Sequence, residues 1–83
     1  MRVLYFAWVK QKIGIGEEDV SPPPEVRDVA GLVAWLATRS PGHAGAFANA
    51  RTIRAAVNQD FATPDHPVAA GDEIAFFPPV TGG

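Results

Sequence analysis

Two glycines, Gly82 and Gly83, close the sequence after a stiff run, Phe76-Phe77-Pro78-Pro79-Val80-Thr81. Taken as the C-terminus, Gly83 presents its main-chain carboxylate on a thread without side chains. A carboxylate is a poor electrophile until it becomes an acyl adenylate. Chemistry at this end therefore needs a second protein that draws the tail into an ATP site. Glycine fits a narrow channel because it lacks a Cβ and tolerates unusual backbone angles. Pro78-Pro79 ends backbone pairing and favours an extended exit. From Pro78 to Gly83 the tail spans at most about 20 Å, six residues at roughly 3.3–3.6 Å each. Against this stands a frayed end without a role.

Other reactive groups offer less. Cysteine is absent, so disulfides, thiolate sites and side-chain sulfur chemistry are excluded. His43 and His66 lie far apart, with no Cys or carboxylate at metal-ligand spacing. His66, between Asp65 and Pro67, reads as a structural or solvated loop residue. Ser21, Ser40 and the threonines have no base at a useful offset, so no nucleophilic triad is legible. Asp72 and Glu73, adjacent on a strand, would point apart. Glu17-Glu18-Asp19 reads as a solvated edge. No glycine-rich phosphate loop follows a strand. The chain therefore shows no active site of its own.

With 83 residues and 47% hydrophobic content, the chain has the size of one small domain rather than a disordered segment. A net charge of -2 without a basic stripe argues against nucleic acid. The apolar run Val3 to Val9 is too short to span a membrane and lacks a signal-peptide cleavage site. Cytoplasmic location is the default expectation.

The elements that would position the tail follow from patterning. Val3 to Val9 predicts a strand, with Leu4, Phe6 and Trp8 on one face and Val3, Tyr5, Ala7 and Val9 on the other. Lys10 to Gly16 predicts a turn, with Gly14 and Gly16 free to take positive φ. Glu17 to Ser21 predicts the second arm of a hairpin, and Pro22-Pro23-Pro24 an extended connector. Asp28 predicts an N-cap. Val29, Leu32, Val33 and Leu36 then form a helical stripe running to about Arg39, stopped by Ser40-Pro41-Gly42. Between His43 and Arg51 a short helical turn can carry Phe47 inward. Thr52 to Asn58 predicts a strand with Ile53, Ala55 and Val57 on one side. Asn58-Gln59-Asp60 predicts a turn and Phe61-Ala62 a brief extended piece. Glu73 to Phe77 predicts the last strand, with Ile74 and Phe76 inward. This is an α+β order: a mixed sheet with one main helix across it, the β-grasp or ubiquitin-like arrangement. Residues 1-77 would form the domain and 78-83 the tail. Leu4, Phe6, Trp8, Phe61 and Phe77 are candidates for an exposed apolar patch. Phe6, Phe61 and Phe77 favour an interface, and Trp8 a rim or core position.

The segments Ala55-Ala56-Val57-Asn58-Gln59, Asp65-His66-Pro67 and Gly71-Asp72-Glu73-Ile74-Ala75-Phe76-Phe77-Pro78-Pro79-Val80-Thr81-Gly82-Gly83 resemble the small, sulfur-carrying subunits of molybdopterin synthase, the MoaD family. Val3-Leu4-Tyr5-Phe6-Ala7 is similar to that family's first strand. The resemblance is most specific in the C-terminal third and holds only in pattern from Glu17 to Arg51. It implies that an E1-like enzyme adenylates Gly83 with ATP. A sulfur donor, such as a cysteine desulfurase/rhodanese system, then makes a thiocarboxylate. The carrier docks on the large synthase subunit, in a 2+2 heterotetramer, and threads Pro79, Val80, Thr81 and Gly82 into its pocket. Sulfur passes there to precursor Z (cyclic pyranopterin monophosphate) to build the dithiolene. Phe6, Phe61 and Phe77 match the family's interface sites, Gly82 and Gly83 its functional end. No permanently bound cofactor, metal, nucleic acid or membrane is implied. Three alternatives remain: a thiamine-pathway carrier of the same fold, a ubiquitin-like modifier joined through Gly83 to a lysine, and a binding module with an inert tail.

Overall fold

A computed structural model describes residues 1–79. Val80, Thr81, Gly82 and Gly83, on which the sequence-based expectations for the tail fall, lie outside the described residues. The elements are β1 (Arg2–Tyr5), α1 (Ala7–Ile13), β2 (Glu17–Asp19), α2 (Val29–Leu36), α3 (Pro41–Ala46), a 3-10 turn (Ala50–Thr52), β3 (Arg54–Val57), β4 (Asp60–Ala62) and β5 (Glu73–Phe77). The five strands form one sheet in the order β2-β1-β5-β3-β4. β1 and β5 run parallel, with Tyr5 opposite Phe76, and every other pairing is antiparallel. This is the expected β-grasp arrangement.

Residues directly opposite on paired strands point to the same face. The inner face presents Val3, Tyr5, Ala55, Val57, Ile74 and Phe76, all buried. Val29, Leu32 and Leu36 of α2 bury the predicted helical stripe in the same core. Asp28 caps α2 as expected, its Oδ1 accepting from the Gly31 N–H at 2.7 Å. Phe47 turns inward and meets Phe76 edge-on at 5.1 Å.

Three expectations are corrected. The first strand stops at Tyr5, and α1 occupies Ala7–Ile13 in place of the rest of the strand and most of the turn. Beyond Tyr5 a strand has little left to pair with, since β2 meets only Arg2, Val3 and Leu4, and β5 ends at Phe77. Helix formation satisfies the backbone instead, and Val9 reaches the core from a helix face. Ala7 takes φ 54 to make the corner, a backbone conformation unusual outside glycine. Gly14 closes α1 at φ 97, donating its N–H to the Lys10 carbonyl at 2.8 Å. Gly16 needs no positive φ.

The second correction is that α2 ends at Leu36, not near Arg39. Thr38 and Arg39 continue only with three-residue hydrogen bonds to Trp35 and Leu36, a tightening usual at helix ends. Third, Ser40-Pro41-Gly42 begins a helix as well as following one. Ser40 is the N-cap of α3, accepting from the His43 N–H at 3.1 Å, and Pro41 stands in the first turn, where its missing N–H costs nothing.

Helices α1 and α3 pack closely through Gly42. A Cβ there would lie 2.6 Å from the Lys12 carbonyl oxygen, whereas one at Gly45 meets nothing within 4 Å. Gly42→Ala should therefore destabilise by about 1–3 kcal/mol, the usual cost of overpacking. Gly45→Ala should stabilise by up to about 1 kcal/mol through helix propensity. Urea denaturation of the two single variants checks both signs.

Candidate functional site

The outer sheet face and the root of the tail form one surface. Leu4 lies opposite Ala75, which lies opposite Ala56, which lies opposite Phe61. This row crosses four strands with apolar side chains on the outer face. Phe61 is 82% exposed, and its ring sits 5.9 Å from that of Phe77. Phe6, 49% exposed, donates its N–H to the Phe76 carbonyl at 3.1 Å and so lies beside Phe77. Phe77 is half-buried and stands opposite Arg54. The structure thus brings Phe61 and Phe77 together and sets Phe6 beside them, where the chain leaves through half-buried Pro78 and Pro79. Trp8 does not share a strand face with Leu4 and Phe6. It rides on α1, half-buried against the core, with the Lys12 Nζ 5.9 Å from its ring.

Charge closes the band at its far end. Arg2 pairs with Glu17 at 3.7 Å and Asp19 at 3.5 Å, both exposed. Such pairs add little stability, and here they mark where the apolar face stops.

Glu18 departs from the solvated edge expected for Glu17-Glu18-Asp19. Its Oε2 accepts from the Tyr5 hydroxyl at 2.6 Å and from the His43 Nε2 at 2.6 Å. Arg39 approaches Oε1 at 3.4 Å. On the other side of the ring, His43 Nδ1 meets the Ser40 hydroxyl at 2.7 Å. Ser40 thus has a base within reach after all, three residues along. The grouping is nevertheless a clamp and not a triad. The hydroxyl already serves as the α3 cap, and His43 is only 6% exposed. A single tautomer satisfies the chain, with Nε2–H donating to Glu18 and Ser40 donating to Nδ1. Burial, reinforced by the bond to Glu18 and that carboxylate's charge, pushes the Tyr5 phenol far above its ordinary range, so it remains a donor. Burial alone would raise the Glu18 carboxyl, but the bonds from Tyr5 and His43 outweigh it and hold it below the ordinary glutamate value.

The remaining sequence candidates are structural. His66 stays in its loop, its carbonyl accepting from the Val29 N–H at 3.0 Å. Asp72 accepts from Asn58 Nδ2 at 3.1 Å and the Ala69 N–H at 2.9 Å, which together lower its carboxyl. Among the described residues no group of three or more His, Cys, Asp or Glu could hold a metal ion. No helix among them is long and apolar enough to cross a membrane.

Comparison with known proteins gives concordant findings. The ThiS family model matches residues 3–83. The molybdopterin synthase sulfur carrier subunit of Escherichia coli (strain K12) is 40% identical over 83 residues, covering all of this chain and 99% of that protein. The human protein of the same name is 35% identical over 89 residues, covering all of this chain and 93% of its own length. Among solved structures, SAMP1 from Haloferax volcanii aligns with a TM-score of 0.75 at 26% identity, covering 100% of this chain and 98% of that one.

The clamp makes stability depend on acid pH. Glu18 has a depressed folded-state value, so its contribution is present above the ordinary glutamate range and is lost as pH falls through the folded value. Melting temperature should therefore drop on acidification below about pH 4.5, the ordinary glutamate value. Glu18→Gln should melt lower at neutral pH and flatten that acid slope, as read by circular dichroism melts across pH 3 to 7.

Proposed function

Because the chain belongs to the ThiS family, we propose that it is the sulfur carrier subunit of a molybdopterin synthase, acting in molybdenum cofactor biosynthesis. The observation that carries this reading is 40% identity along the whole chain to a sulfur carrier subunit of that name. The geometry supports it, since a carrier needs a reactive end and a docking face rather than a catalytic triad. The exposed phenylalanines lie where the tail begins.

In this reading Gly83 carries the chemistry. An E1-like partner joins its carboxylate to the α-phosphate of ATP with loss of pyrophosphate. The outer sulfur of a donor persulfide, such as that of a cysteine desulfurase/rhodanese system, then attacks the acyl carbon and displaces AMP, and a thiol reduces the resulting acyl disulfide to leave a thiocarboxylate. Because the sulfur resides on the main chain, the lack of cysteine is no obstacle. Phe6, Phe61 and Phe77 dock on the large subunit, in a 2+2 heterotetramer. Pro79, Val80, Thr81 and Gly82 lead the terminus into that subunit's pocket, where precursor Z receives the sulfur. The carrier holds no permanent cofactor, works in the cytoplasm, and supplies no catalytic group besides its own terminus.

A second reading, conjugation of Gly83 to lysines, draws on the ubiquitin-like order of strands and helix and the two glycines at Gly82 and Gly83. It predicts higher-mass conjugates in extracts of cells making the tagged protein, which sulfur carriage alone does not.

Deleting Gly83 should abolish sulfur transfer to precursor Z in a reconstituted synthase while leaving the melting temperature within error. Full transfer by the truncated chain would overturn the proposal. Phe61→Glu should leave folding within about 0.5 kcal/mol, as for exposed positions, yet weaken large-subunit binding at least tenfold, about 1.4 kcal/mol, by calorimetry. Phe77→Glu should also lose more in docking than in folding.

A further inference from the structure

An apolar groove of about 490 Å³ runs between α2 and the β3–β4 pair, within the range of about 300–1,000 Å³ usual for small-molecule sites. Val29, Ala30 and Val33 of α2 line one side, Ala55 and Ala62 the other. Three of these are alanines, whose methyl groups leave a gap that larger side chains would close. The Ala30 N–H donates to the Pro64 carbonyl at 2.8 Å. This tie holds the helix to the loop after β4 and fixes the width of the groove. Ala55 and Phe76, which also lines it, belong to the inner face of the sheet. The groove is therefore separate from the outer surface of Leu4, Phe61 and Phe77.

Its charged lining consists of two cations, Arg51 and Arg54. Arg54 folds back, its Nη1 donating to the carbonyls of Arg51 and Ile53 at 3.0 and 3.4 Å. That holds its guanidinium beside the turn that carries Arg51. Among the described residues neither arginine has a carboxylate at ion-pair distance. The mouth therefore favours an anion. Among the described lining residues Thr63 alone has a neutral polar side chain, and its hydroxyl already donates to Asp65. A sugar or nucleobase seated here would leave its polar groups without partners, which is costly. A hydrocarbon chain has none to satisfy.

We propose that this groove binds a small amphipathic anion, a medium-length acyl chain ending in a carboxylate. The chain lies between α2 and the β3–β4 pair, and the carboxylate meets Arg51 and Arg54. A guanidinium suits a carboxylate because the two can share a pair of parallel hydrogen bonds. The apolar walls take the chain out of water. The inference goes beyond sulfur carriage and uses no residue of the docking face.

Nitrogen-labelled full-length protein, titrated with sodium octanoate at constant pH and ionic strength, provides the test by NMR. The amide signals of Val33, Ala55 and Ala62 should shift saturably, with little change at Leu4 and Phe61. Octyltrimethylammonium, the same chain with the opposite charge, should not produce these shifts. Arg51→Glu should weaken octanoate binding about tenfold, because reversal replaces an attraction with a repulsion. Ala62→Leu should abolish binding by filling the groove, in protein shown to be folded by its circular dichroism melt. Equal binding of the two probes, an affinity indifferent to Arg51→Glu, or shifts that spread unsaturably over the outer face would overturn the site. Shifts at Val33 and Ala62 that follow protein concentration without octanoate would make a second copy of the chain the occupant, and would also overturn it. These readouts follow only the groove, so the site can fail while sulfur carriage stands, and the reverse.

Discussion

Parallel pairing of the first and last strands is the constraint on which the remaining architecture depends. β1 and β5 occupy central positions in the sheet, with Tyr5 opposite Phe76. Parallel neighbours cannot be joined by a tight turn, so everything between them forms a long connection that must return over the sheet. That return lays α2 across the inner face and brings β3 to the other side of β5. Tyr5 and Phe76 stack at 6.4 Å, and Phe47 fits edge-on against both. The base of the tail is thus fixed from both sides by the centre of the sheet. Whatever happens at the terminus begins from a rigid root.

The same pairing determines which face is available. Inward residues of β1, β3 and β5 are consumed by the core, leaving Leu4, Ala75, Ala56 and Phe61 outward, with Phe77 at the tail end. α2 covers the inner face but not the outer one. In so small a domain, leaving an aromatic such as Phe61 uncovered forgoes burial that would help stability. Function through a partner is a physical reason to retain that exposure. The polar clamp works on the other side of the balance. It ties β1, β2 and α3 together through one carboxylate, and no buried side-chain polar atom among the described residues lacks a partner.

Much of this was legible in the residues because the signals were local. The stripe Val29, Leu32, Leu36, the Asp28 cap and the alternation around Ile74 and Phe76 all follow from chain periodicity, and the structure preserves them. The run through Trp8 and Val9 misled because its β-branched and aromatic composition favours a strand, while the lack of partners beyond Tyr5 is a non-local fact. Val9 and Ile13 four apart, followed by Gly14, carried a helical signal that composition overshadowed. Ser40-Pro41-Gly42 carries stop and start signals at once, and only a helix-start reading finds α3. The Glu18 clamp joins residues 25 positions apart in sequence, beyond any motif spacing. At the candidate site, Phe61 and Phe77 were readable as apolar residues on faces without core duty. Their closeness to each other comes from strand register.

The proposed function rests on sulfur carriage at Gly83. Its most direct test is the intact mass of the protein purified from cells that also make the activating enzyme, with the change mapped to the peptide ending at Gly83. The account predicts a mass increase equal to one oxygen replaced by sulfur. An unchanged mass with the activating enzyme and ATP demonstrably active would contradict it.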